Sequence, residues 1–170
     1  MKEQKIYQNF EGILKELKAS FELSVAEEIK EVGGDTRRHL VFFLGNESFS
    51  LPIKQLREIL SDKPIIPVPD APSSIHGVIN YKNRILSVTN IHHLLQLKFN
   101  KKDSSCLLVT RGNKYDTALL VDSLTGLIDV NQTDIKPGVS GQKESMDKLI
   151  AGEIYFQKKL ITLLDLAGIS

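Results

Sequence analysis

A basic excess is the first thing this sequence lacks: 22 lysines and arginines stand against 21 aspartates and glutamates, for a formal charge of +1. A protein held to nucleic acid by neutralising phosphates carries a clear basic surplus. Base stacking needs aromatic side chains, and these are 6% of the chain. Both observations argue against a nucleic-acid partner. Cysteine is nearly absent too. Cys106 is the only one, so no disulfide forms within the chain, and a reducing compartment fits. No apolar run approaches the ~20 residues of a membrane span. The N-terminus lacks the apolar stretch of a signal peptide. The expectation is a cytoplasmic protein with no direct membrane insertion.

Signatures of catalysis are equally thin. The run from Gly138 to Gly141 lacks the spacing of a nucleophile elbow, and no glycine-rich phosphate loop is present. Asp122, Asp129, Asp134 and Asp165 fall at predicted strand ends and turns without pairing. His92 and His93 are adjacent, so on a helix their side chains diverge by about 100° and seldom bind one ion together. Cys106 opens an apolar strand and reads as a small buried hydrophobe. These readings predict a non-enzyme with no cofactor and no metal.

What the chain does have is 41% hydrophobic residues in two kinds of pattern. Up to residue 34 the period is helical: Ile6, Phe10, Ile13, Leu14, Leu17 and Phe21 share one face. Ser24 with Glu27 has the form of a capping box for a second short helix, which Gly33-Gly34-Asp35 ends. Residues 1–34 are therefore predicted to be a helical extension, laid on the domain that follows or docked on a partner. From His39 the pattern is that of strands. Leu40–Leu44 turns at Gly45-Asn46 and returns through Phe49, Leu51 and Ile53. Pro52 argues for an edge or a bulge there, and Leu56, Ile59 and Leu60 suit a short helix or a strand. Four prolines between Lys63 and Ser73 mark an extended connection. A hairpin follows around Lys82-Asn83, then a short helix over Ile91–Leu97. The second half runs through Cys106–Val109, Ala118–Val121 and Gly126–Val130 to a last hairpin around Gln157-Lys158. A mobile loop is expected at 136–147.

The two halves repeat each other. The run GVINYKNRILSVTNI from Gly77 aligns without gaps to GEIYFQKKLITLLDL from Gly152. Leu51, Ile53 and Leu56 match Leu119, Val121 and Leu124. Each half, about 38–100 and about 104–165, is of a size at which a single core is marginal, so the halves gain by packing together. Each is predicted to form a small barrel of about five strands, which leaves no long free edge.

At this point the chain resembles the CheW-like chemotaxis coupling (adaptor) proteins over roughly residues 38–169. The opening LVFFLG, the stretch LREI from Leu56 and the tail LITLLDL from Leu160 sit in the expected order. The run GVINYKNRILSV resembles the family hairpin GVINLRGKVIPV, and LVDSL from Leu120 fits the family's VVDxV. The resemblance implies an all-β domain over 35–170 of two intertwined five-stranded SH3-like barrels. It implies an adaptor that bridges the regulatory domain of a CheA-type histidine kinase to the cytoplasmic tip of a methyl-accepting chemoreceptor, within receptor arrays at the inner membrane. Leu56, Glu58, Asn80, Lys82, Arg84, Val121 and Leu124 fall at or near family contact positions. The chain departs from the family at Lys82, Asn83 and Ser87, and it has Asn90-Ile91-His92 for Asp-Leu-Arg. Lysine keeps the charge of the family arginine but loses its planar fork. A diverged adaptor of another pathway, such as pilus or gliding motility, using the N-terminal helix as its contact, is the second reading.

Overall fold

The computed structural model describes residues 36–61, 63–99, 105–112, 115–137 and 148–166, together with Lys15, Lys18 and Ala19. Those three are helical; the rest of the expected 1–34 extension, and residues 138–147 of the expected loop, lie outside the described residues. Ten strands run in order among the described residues: β1 (Thr36–Leu44), β2 (Glu47–Pro52), β3 (Leu56–Leu60), β4 (Ile75–Tyr81), β5 (Arg84–Thr89), β6 (Cys106–Thr110), β7 (Thr117–Val121), β8 (Ser123–Asn131), β9 (Ile150–Phe156) and β10 (Lys159–Leu164). The short helix α1 (Ile91–Leu94) follows β5. Asn90 caps it, its side-chain oxygen accepting from the His93 N–H.

The strands form two five-stranded sheets, β8-β1-β2-β10-β9 and β3-β6-β7-β5-β4. Exchanging each strand for the one five places along converts either order into the other, so the repeat in sequence is a repeat in topology. Each sheet draws strands from both halves. The first takes β1 and β2 beside β8–β10, and the second takes β3–β5 beside β6 and β7. The joins are the parallel pairs β2–β10 and β5–β7; every other strand pair is antiparallel.

Each sheet curls shut at a matching place. Ile66 exchanges two backbone hydrogen bonds of 2.8 Å with Val78 of β4, and Lys136 exchanges two of 2.9 Å with Glu153 of β9. Gly77 and Gly152, aligned in the repeat, sit beside these bridges with φ of 157° and 153°. A Cβ at Gly77 would lie 2.5 Å from the Ile66 carbonyl oxygen, and one at Gly152 would lie 2.7 Å from that of Lys136. Only glycine permits both the dihedral and the approach.

Three apolar cores result. Ile79, Leu86, Val88, Val109 and Leu120 fill one barrel. Val41, Val130, Ile154, Ile161 and Leu163 fill the other. The largest, including Phe42, Leu51, Ile59, Leu108 and Leu119, fills the seam between them. Two polar brackets brace that seam. Asp122, between β7 and β8, accepts from the Gly45 N–H at 2.6 Å and pairs with His92 Nε2 at 3.1 Å. Gln55 donates to Asp165 at 2.9 Å, and its side-chain oxygen accepts from the Leu166 N–H at 3.3 Å.

The structure corrects one local expectation and resolves another. Pro52 lies on neither an edge nor a bulge. It ends the central strand β2, beyond the Ser48–Ser50 stretch that pairs with β10, so its missing N–H costs no ladder bond. Leu56–Leu60 is a strand, with Leu56 and Ile59 turned into the seam.

Candidate functional site

The β4–β5 hairpin closes on Lys82 and Asn83, with φ of 49° and 63°. Positive φ at both central residues is what a two-residue hairpin of the right twist requires, and asparagine tolerates it better than most residues. Asn83 thus does the work of the glycine in the family pattern. The turn carries Lys82 back over its own strand. Its Nζ lies 4.9 Å above the Tyr81 ring and 2.9 Å from Glu58 Oε2 on β3. The Tyr81 hydroxyl donates to the same carboxylate oxygen at 2.7 Å.

Glu58, Tyr81 and Lys82 therefore form a latch across one end of the first-repeat barrel. The Lys82 hydrogen bond holds the Glu58 carboxyl below its usual range against the opposing effect of burial, with a lesser contribution from the Tyr81 hydrogen bond. The same bonds raise Lys82. Lys18 of the N-terminal helix adds a further positive charge felt by Glu58 and by Cys106. Asn80 and Arg84 are exposed beside the latch. Ile85, opposite Asn80 in the hairpin, is 80% exposed.

Four of the seven expected contact residues, Glu58, Asn80, Lys82 and Arg84, thus gather at one barrel end. The other three do not join them. Leu56, Val121 and Leu124 belong to the seam core. They are buried because β3, β7 and the start of β8 turn these positions toward the facing sheet. They offer no side-chain surface to a partner. The seam itself is packed with apolar side chains.

The second-repeat barrel ends differently. β3 and β8 have the same register. Glu58 lies opposite Val109 and Gly126 opposite Val41, each just after a bulge. Where the first barrel has Glu58, Tyr81 and Lys82, the second has Gly126, Phe156 and Gln157. No latch forms, and a cavity of about 200 Å³ opens there, floored by Val41, Phe43 and Ile161 and walled by Leu127, Ile128 and Phe156. Sequence reasoning missed both Tyr81 and this cavity. The signal was in the hairpin alignment, which sets Tyr81 against Phe156.

Other candidates resolve plainly. Cys106 is buried, which pushes its thiol up to about 12, away from reactivity. His92 is buried against Asp122 and Phe99, whereas His93 is exposed. Among the described residues no three His, Cys, Asp or Glu converge on a metal position, and no helix is long and apolar enough to cross a membrane.

Comparison with known proteins agrees with this architecture. The family described as CheW-like domain matches residues 38–170. The chemotaxis protein CheW of Rhizobium meliloti is 24% identical over 141 residues, covering 82% of this chain and 91% of that protein. CheW of Thermotoga maritima is 22% identical over 127 residues, covering 75% and 83%. The crystal structure of the scaffolding protein TtCheW from Thermoanaerobacter tengcongensis superposes with a TM-score of 0.70 at 23% identity. It covers 76% of this chain and 89% of that one.

Proposed function

The chain belongs to the CheW-like domain family, and from that premise we propose that it is a non-catalytic adaptor coupling a chemoreceptor to a CheA-type histidine kinase. The observation that carries the reading is the latched end of the first barrel. Glu58 and Lys82 stand at the positions where the family resemblance puts partner contacts, and they meet at 2.9 Å with side chains 38% and 69% exposed. A pre-formed, half-exposed ion pair at the hairpin that also exposes Ile85 combines charges that select and orient a partner with an apolar anchor. Relatives named as chemotaxis proteins along most of their length support the same pathway.

Binding energy comes chiefly from apolar contact, and the charges set approach and register. Arg84 has no carboxylate partner among the described residues and is available to an acidic one. The test is co-purification of the folded chain with the regulatory domain of a CheA-type kinase and with a receptor-tip fragment. Recovery of both supports the adaptor role. Recovery of neither removes it and leaves the fold as it stands.

A further inference from the structure

The contrast between the two barrel ends leads beyond this reading. In the first barrel the gap between edge strand β3 and the β4–β5 hairpin is bridged by Glu58, Tyr81 and Lys82. In the second, the corresponding gap lies between edge strand β8 at Thr125–Ile128 and the β9–β10 hairpin, and nothing bridges it among the described residues. β9 is tied across the gap only where Glu153 meets Lys136. Two residues nearer the hairpin tip, Tyr155 directs its main-chain N–H and carbonyl to the same side and meets no strand there among the described residues. Among the described residues β8 is likewise paired on one flank only, to β1. Two strand edges thus flank a cavity that opens into the apolar interior of the barrel.

The geometry points to this gap as a slot for an extended peptide segment of a partner, apolar at alternate positions and acidic between them. Open strand edges are satisfied by another strand, whose backbone supplies the missing hydrogen bonds. The cavity of about 200 Å³ lies below the ~300 Å³ at which small-molecule sites begin. It suits an inserted aliphatic side chain better than a cofactor. Four residues of β8 span roughly 13 Å, room for a short strand. The charge of the occupant follows from the rim. Lys159 lines the cavity and Lys158 follows the lining residue Gln157 at the hairpin tip; both are exposed, and among the described residues neither forms an ion pair and no carboxylate lines the cavity. Leu160 and Tyr155 stand exposed on the outer face of the same hairpin and extend the apolar contact.

The test needs neither kinase nor receptor, so its outcome is separate from that of the adaptor reading. A fluorescein-labelled octapeptide alternating glutamate and valine is titrated into the full chain and followed by anisotropy. Two companions are used, one with lysine replacing glutamate and one with proline replacing a central valine. Gly126→Glu fills the gap without steric conflict, because a Cβ there meets nothing within 4 Å. The expectation is saturable binding of the glutamate peptide, at least tenfold weaker for Gly126→Glu and for the proline peptide. Lys159→Glu shifts preference toward the lysine peptide. Absence of saturable binding to the wild-type chain overturns the proposal. So does undiminished binding by folded Gly126→Glu or by the proline peptide.

Discussion

His92 Nε2 lies 3.1 Å from Asp122 Oδ1, with the two side chains 1% and 0% exposed. Burial holds the imidazole below its ordinary pKa although the carboxylate pulls the other way. At neutral pH it is a neutral donor. Asp122 also accepts from the Gly45 N–H, so Asp122→Ala takes this acceptor from one buried and one partly buried donor. Urea unfolding should register a loss of about 2–4 kcal/mol. Asp122→Asn keeps one acceptor oxygen and should cost less. An alanine variant as stable as the parent would show that the bracket does not brace the seam.

Acid should weaken the fold through its buried histidines. His39 is buried, hydrogen-bonded to Ser50 at 3.2 Å, and lowered from 6.5 to about 4, first by burial and then by Arg37 and Lys54. Between those values the unfolded chain binds a proton that the folded chain refuses. Stability is therefore full above pH 6.5 and falls as pH drops toward 4, by about 3 kcal/mol for this residue. His92 adds to the same slope. Glu58 and Asp129 are lowered, so their contributions persist above the ordinary values of 4.5 and 3.8 and fade only below. Denaturant midpoints at pH 7.5, 6.0 and 5.0 check this. His39→Gln should flatten the series.

Gly77→Ala and Gly152→Ala should each destabilise by more than about 2 kcal/mol, because Cβ meets main chain that cannot step aside. Gly126→Ala, where the space is open, is the control and should be nearly neutral. Thermal melts of the three variants separate a local requirement for glycine from a general cost of adding a methyl group.

Lys82→Glu places a second carboxylate against Glu58. The pair is partly solvated, so the thermal midpoint should barely move. Binding to a kinase regulatory domain should weaken at least tenfold. A parallel fall in both would make Lys82 a structural residue. Tyr81→Phe, which keeps the ring and removes one hydrogen bond to Glu58, should give a smaller loss of binding.

Removing residues 1–34 distinguishes an arm from a structural element. The Lys18 charge is felt at Glu58, a residue of the proposed partner surface. If the arm is a contact element, the truncated chain stays folded and its partner affinity changes. Unfolding of the truncated chain would assign the helix to the core.

Much of the fold was legible because the relevant forces are local. Alternation placed β1, β2, β9 and β10, and Lys82-Asn83 marked a turn by its chemistry. The gapless match from Gly77 to Gly152 exposed the repeat. Periodicity is blind to which strands share a sheet, so the parallel pairing of β2 with β10 lay beyond it. The same blindness explains the site. Glu58 and Tyr81 meet across 23 positions, and nothing in either neighbourhood announces it. Leu56, Val121 and Leu124 were placed among contacts by resemblance, while an alternating pattern does not say which face looks at solvent.

The interleaving of the halves has a consequence for how the molecule comes into being. Of the ten strands β1 and β2 leave the ribosome first, yet their sheet is completed only by β8, β9 and β10, the last of the ten. Neither barrel closes on a nascent chain cut at its midpoint. Such long-range pairing is slow to form and exposes unpaired edges while it waits. The same arrangement in two separate chains would be a strand-exchanged dimer. Here the connection between residues 99 and 105 makes that exchange intramolecular and independent of concentration. Separately expressed halves should therefore recover the fold only when mixed, with a rate that rises with protein concentration.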